Sequence, residues 1–173
     1  MTRYLRVMTV CLGLWMAAAG AGEVTVPQPT DLREEAALAT ARRVPVLLMF
    51  SAEHCPYCMR MEDEFLKPMI LSGDYEDKAL IRKLELGGGT LRDFDGSAVT
   101  VDQLAERYQV IVTPTLVFLD AAGHQLTDKM VGLTTPDFFG GYLDASIDTS
   151  LSRLRRSSAL AAHPGSCAPA ISC

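Results

Sequence analysis

VPVLLMFSAEHCPYC, residues 44–58, joins an apolar run to a pair of cysteines. Residues 44–50 have the length of a strand and offer apolar side chains to both faces, as a central strand covered by helices requires. The chemistry follows just past the C-terminal end of that strand, where open α/β sheets place their sites. Pro56 suits the first helical position, because its missing N–H has no intrahelical partner there. A helix is therefore expected over residues 56–66, with Pro68 ending or kinking it.

Cys55-Pro56-Tyr57-Cys58 joins two thiols across two residues at that helix start. This spacing brings both sulfurs onto one turn, so a disulfide closes with little backbone movement. The first sulfur faces the free N–H groups of the helix start, which favour thiolate over thiol. At such sites cysteine pKa values fall from about 8.5 to roughly 3.5–7.5. A thiolate attacks a partner disulfide, and a second thiol resolves the mixed disulfide. Cys55 is assigned as nucleophile and Cys58 as resolving thiol. Two other readings of the spacing stay open. C-x-x-C is also half of a zinc site, with Cys167 and Cys173 as the remaining ligands, or an inert structural disulfide.

Working toward the N-terminus, Asp31-Leu32-Arg33-Glu34 has the form of a capping box and opens a helix expected over residues 31–42. Toward the C-terminus, residues 80–86 alternate as a strand does, and residues 87–97 read as a loop a minimal domain does not need. Thr100-Val101-Asp102-Gln103 is a second capping box, opening a helix to about Tyr108. Residues 115–119 form a compact apolar strand. After a turn at Ala121-Ala122-Gly123, residues 125–131 are expected to return antiparallel. Thr135-Pro136-Asp137 starts a last helix, with Arg153, Arg155 and Arg156 at its negative end. The economical architecture is α/β: a mixed sheet of about four strands with helices on both faces.

The first residues have the form of a secretory signal. Arg3 and Arg6 precede the uncharged run 7–19, and Ala19-Gly20-Ala21 offers small residues for cleavage. The run is short for a bilayer span, which needs roughly 20 residues; an uncleaved anchor is the competing reading. The expected division is a signal peptide at 1–21, one domain at 22–156, and a flexible tail at 157–173. Cys11 leaves with the signal, and four cysteines remain. An even number in an exported protein fits an oxidising compartment. The formal charge is -5, with acidic residues spread along the chain and no basic patch for nucleic acid. Cys167 and Cys173 form either a small tail disulfide or a second redox pair relaying electrons to Cys55.

These features together resemble the thioredoxin superfamily over roughly residues 30–150. Carrying the resemblance are the strand running into Ser51-Ala52-Glu53-His54-Cys55-Pro56-Tyr57-Cys58, the segment Val112-Thr113-Pro114-Thr115-Leu116-Val117-Phe118, Val131-Gly132 after a hairpin, and a terminal helix. The resemblance implies that Pro114 is cis and lies against the cysteine pair, an ordinary trans proline being the alternative. It also implies that the Thr113 backbone offers an edge to an extended substrate peptide. Departures are visible. Met49 stands where thioredoxins carry a buried Asp that assists proton transfer from the resolving cysteine, which leaves Glu53 or water to serve. His54 replaces a tryptophan, and is either a thiolate-stabilising imidazole or an exposed polar residue. Tyr57 either packs over the site or caps its loop. The C-P-Y-C form is common in glutaredoxins, but Val131-Gly132-Leu133 lacks their glycine pair.

The expected activity is that of a protein thiol–disulfide oxidoreductase without a cofactor or metal, acting on disulfides of exported proteins. Exported bacterial thioredoxin-like proteins, including those linked to sulfur-compound oxidation, look most similar. That resemblance implies a membrane thiol-reducing transporter as electron donor. The alternatives are a disulfide oxidase or isomerase, or a non-catalytic metal-handling or binding module on the same fold.

Overall fold

In a computed structural model that describes residues 23–162, α1 (Leu32–Arg42) leads into β1 (Val46–Ser51), all of whose residues are buried. A continuous helical segment follows: α2 (Pro56–Met61), a π-helical turn (Glu62–Leu66) and α3 (Lys67–Ser72). Then come β2 (Leu80–Glu85), β3 (Thr90–Arg92), β4 (Ala98–Thr100), α4 (Val101–Arg107), β5 (Thr115–Leu119), β6 (Met130–Val131) and α5 (Pro136–Ala162). The expected signal peptide, Cys11, Cys167 and Cys173 lie outside the described residues.

The main sheet has the order β2-β1-β5-β6. β1 runs parallel to β2 and antiparallel to β5, and β5 is antiparallel to β6. The mixed four-stranded sheet expected from the sequence is thus present. Its faces follow from the strand period of two. Val46, Leu48 and Phe50 pack with Leu32 and Ala39 of α1 and Leu104 and Ala105 of α4. Leu47 and Met49 point the other way, into a layer with Cys58, Met61, Leu66, Phe118 and, from α5, Phe139, Leu143 and Ile147. The helical segment that carries the cysteines is therefore anchored on one face of the central strand.

Four expectations need correction. Pro68 neither ends nor breaks its helix. The π turn ahead of it carries the Lys67 N–H back to the Glu62 carbonyl, five residues away. Pro68 then falls in the first turn of α3, where a missing donor is tolerated. The stretch 87–97 is not merely a loop, for β3 and β4 pair there as a small hairpin. Arg92 ties the hairpin to the start of α1 through Asp31, at 3.2 Å. The return strand expected at 125–131 is reduced to a bridge at Gln125 and the short β6.

Finally, α5 runs on to Ala162, past the expected domain end at 156. Ser157 and Ser158 donate to the Leu154 carbonyl at 2.8 and 2.9 Å, so their hydroxyls are satisfied within the helix. Ala and Leu, which fill most of the rest, favour helix. The three arginines accordingly sit before the helix end, and Arg153 donates to the Leu126 carbonyl at 2.6 Å.

The Thr100 capping box is complete: its hydroxyl accepts from Gln103 N at 3.1 Å, and the Gln103 side chain accepts from Thr100 N at 2.9 Å. Thr100→Ala is expected to cost about 1 kcal/mol. A lower urea midpoint at unchanged slope would show it.

Candidate active site

Cys55 stands at the cap of the helical segment, in extended conformation (φ -90°, ψ 104°), with Pro56 in the first turn. The Cys55 carbonyl accepts from Cys58 N and Met59 N, both at 3.1 Å. Its sulfur accepts from Cys58 N at 3.2 Å. The two cysteines are joined as a disulfide with Cα atoms 5.2 Å apart. They differ in access: Cys58 is 1% exposed, whereas Cys55 is only partly buried. Of the two sulfurs, that of Cys55 is therefore the one open to a partner.

The second wall of the site comes from the segment before β5. The Thr113-Pro114 peptide is cis, and the Thr113 hydroxyl donates to the Cys55 sulfur at 3.6 Å. Thr115 anchors the segment by donating to the Val112 carbonyl at 2.7 Å, and Gly132 N donates to the Pro114 carbonyl at 2.8 Å. Among the described residues, Thr113 N–H and C=O have no backbone partner. A chain edge with free hydrogen-bonding groups thus lies beside the reactive sulfur. In the reduced protein the Cys58 N–H and the Thr113 hydroxyl face a thiolate in place of the disulfide sulfur. Both donors favour the charged form.

Over residues 32–147 the sequence matches the family described as a thioredoxin-like domain, which is more than half of the chain. The chain belongs to that family. Among solved structures, this thioredoxin-like chain is similar to the Malassezia sympodialis thioredoxin Mala s 13. The TM-score is 0.50 and the identity 18%, covering 73% of this chain and 91% of that one. Poplar thioredoxin h, PtTrxh4, is 22% identical with a TM-score of 0.47, covering 70% and 96%. Mitochondrial thioredoxin 3 of Saccharomyces cerevisiae, in its oxidised form, is 22% identical with a TM-score of 0.46, covering 69% and 94%. At these identities the likeness is one of fold. No curated protein matches the sequence. A thioredoxin-like fold carrying an adjacent cysteine pair supports thiol–disulfide oxidoreductase chemistry in general.

The remaining expected site residues divide by place. Tyr57 is exposed. His54, with φ 56°, turns outward; its side chain is 86% exposed, with Nδ1 3.5 Å from the Glu53 carboxylate. Glu53 is itself 78% exposed, so the structure sets it on the surface while Cys58 is inside. Met49 is fully buried beneath the site. Two features escaped the sequence reading. Ile111 and Val112, exposed just before Thr113, add apolar surface beside Cys55; the apolar pair ahead of Pro114 was their signal. Glu62 is buried and accepts from Lys83 Nζ at 2.8 and 2.9 Å. Its signal was an acid one helical turn after Cys58.

The Thr113 hydroxyl offers a direct check. Thr113→Val keeps the shape and removes the donor, worth about 0.7 kcal/mol for a modest hydrogen bond. Alkylation of reduced Cys55 by iodoacetamide at pH 7 is expected to slow about threefold. An unchanged rate would remove Thr113 from the site's electrostatics.

Proposed function

We propose that this chain is a periplasmic oxidoreductase that reduces or exchanges disulfides in exported proteins. The observation that carries the reading is the meeting of two elements at one sulfur. Cys55 caps a helix with its partner thiol one turn below, and the Thr113-Pro114 segment lies alongside with an unpaired backbone edge. An extended substrate peptide can add to that edge as a strand would, presenting its own disulfide to Cys55. Exposed Tyr57, Met59, Ile111 and Val112 give the same peptide apolar surface to cover.

The reaction conserves electrons without a cofactor. The Cys55 thiolate attacks one substrate sulfur and the other leaves as thiolate. Cys58 then attacks Cys55, the second substrate sulfur leaves, and the protein keeps the disulfide. Export is supported by the N-terminal charge and apolar pattern of residues 3–21. A protein working as a reductase there needs an electron donor, and a membrane thiol-reducing transporter fits. The link to sulfur-compound oxidation rests on the resemblance of the sequence to exported bacterial relatives. Reduction potential decides between a reductase and an oxidase or isomerase, at about 1.4 kcal/mol per 30 mV for two electrons.

The test is capture. Cys58→Ser retains the attacking sulfur but cannot resolve, so partner proteins are held as mixed disulfides at Cys55. Expressed with its own N-terminus, this variant is expected to accumulate exported proteins in adducts that dithiothreitol releases. Adducts drawn only from cytoplasmic proteins would contradict the export reading, and no adducts at all would contradict protein substrates.

A further inference from the structure

Cations gather at the end of the sheet opposite Cys55. β1 runs from Val46 to Ser51 toward the cysteines, a span of roughly 20 Å at the strand rise per residue. Arg42 and Arg43 lie just before it, at the end of α1. Leu80 of β2 and Leu119 of β5 both pair with Val46, so the start of β2 and the end of β5 are there too. Arg155 of α5 bonds the Asp77 carbonyl ahead of β2 at 3.5 Å, and Arg153 bonds the Leu126 carbonyl beyond β5. Among the described residues Arg42, Arg43, Arg153, Arg155 and Arg156 form no ion pair, whereas most cations elsewhere hold a carboxylate. The sequence hides this cluster, because its members come from residues 42–43 and 153–156. Helix dipoles account for part of it: Arg42 and Arg43 complement the negative end of α1. The α5 arginines are not explained in this way. That helix runs on to Ala162, and the dipole acts only within the last turn.

Arg42, Arg43 and Arg155 line one open cleft of about 740 Å³ over Leu154 and Ala159, and Asp77 is the acid beside them. Arg42 also borders a slot of about 130 Å³ between α3 and β2, walled by Pro27, Met69, Ile70 and Leu80. Of the other charges nearby, Glu76 stands at the slot, Arg82 is held by Glu35 at 2.8 Å, and Asp148 faces Lys78 at 3.8 Å. Leu71, next to Ile70, and Leu160, next to Ala159, are 66% and 74% exposed. Guanidinium groups make paired hydrogen bonds to phosphate oxygens. Exposed leucines beside them suit hydrocarbon, and exposed apolar surface of this kind marks a contact. A free anion or an acidic protein segment would use the arginines and leave both leucines without a role. The boundary between anionic headgroups and acyl chains uses both. We propose that this end of the molecule binds a membrane surface bearing anionic phospholipid, with a lipid phosphate held by Arg42, Arg43 and Arg155. Leu71 and Leu160 enter the headgroup layer. Among the described residues no helix is long and apolar enough to cross a membrane, so the contact is at the surface. The chain as a whole carries a charge of -5, so an anionic surface attracts this end and repels the rest. Cys55, beyond the other end of β1, then faces away from the lipid and stays open to partners. The inference stands independently of the dithiol chemistry.

Sedimentation with lipid vesicles is the test, on protein expressed with its own N-terminus and recovered from the soluble fraction. Wild type is expected to pellet with vesicles of mixed phosphatidylcholine and phosphatidylglycerol. It should stay in solution with phosphatidylcholine alone, and added salt should release it from the mixed vesicles. Arg42→Gln, Arg43→Gln and Arg155→Gln should each weaken binding about fivefold, and the three together on the order of 100-fold. All three side chains are exposed, so the variants should fold, which circular dichroism checks. Arg33→Gln removes the same charge at the other end of α1, and should change binding less than about twofold, being more than a screening length away. Leu71→Ser combined with Leu160→Ser should also weaken binding to the vesicles. With the protein on vesicles, iodoacetamide should alkylate reduced Cys55 at its rate in solution. Slower alkylation would put Cys55 against the lipid and overturn the orientation. No preference for the anionic vesicles, or an equal loss in Arg33→Gln, would overturn the site. Tighter binding to poly-glutamate than to the vesicles would assign the arginines to an acidic protein partner. Stabilisation by inorganic phosphate without vesicle binding would assign them to a free anion. Either result would overturn the lipid reading and leave the chemistry at Cys55 untouched.

Discussion

Replacing Cys55 with serine is expected to lower insulin-disulfide reduction by at least roughly 10³-fold, on the order of 4 kcal/mol in the barrier. The size follows from the site. Cys58 is sealed beneath the surface, so among the described residues no second sulfur is placed to meet a substrate once the accessible one is gone. The helix-start N–H and the Thr113 hydroxyl then face an oxygen that does not ionise near neutral pH. Turnover with insulin and reduced lipoamide measures the loss. Compared with the reduced wild type, the variant should unfold at the same urea concentration, since no packed side chain has changed size. Retention of more than a tenth of the activity would show that another group carries the reaction. Thiol alkylation adds a second control. At pH 7, Cys58→Ser should keep the fast-reacting thiol and Cys55→Ser should lose it. The reverse pattern would exchange the two roles.

Phe118→Ala is expected to destabilise the fold by about 3–5 kcal/mol, the range for removing a buried aromatic ring. Phe118 is fully buried on β5, opposite Leu47 of β1, and packs in the layer that also holds Cys58 and Phe139. The two strands are fixed by backbone bonds on either side, so the layer cannot close over the space left behind. Against a typical total stability of 5–15 kcal/mol, such a loss takes a large share. Urea unfolding by circular dichroism measures it. Phe138→Ala is the matched control. Phe138 is 68% exposed at the start of α5, and its loss should stay within about 0.5 kcal/mol. Equal losses at the two positions would mean that α5 is docked by a different face.

Much of this arrangement was legible from local pattern. The apolar run of β1 and its two faces follow from a period of two. The Thr100 capping box and the cysteine spacing are short-range features, complete within four residues. Errors came where one element depends on another. Pro68 by itself signals a helix end or kink, because the π turn that carries the chain past it is a feature of the folded backbone. Residues 157–162, expected to open a flexible tail, are helical because Ser157 and Ser158 bond back to Leu154, which small residue types do not reveal. The strand expected at 125–131 shrank because only Met130 and Val131, with a bridge at Gln125, find partners along β5.

By itself the amino-acid order determined the sheet-and-helix alternation, the dithiol at a helix start and the more accessible role of its first sulfur. Each of these depends on residues within a turn or a strand of one another. Tertiary structure alone decided which groups surround the sulfurs. Thr113 reaches Cys55 across 58 positions of sequence, and Lys83 reaches Glu62 across 21. It also decided that Glu53 lies in water and Glu62 lies inside. Burial arises from what packs on top of a residue, and residue type carries no record of that.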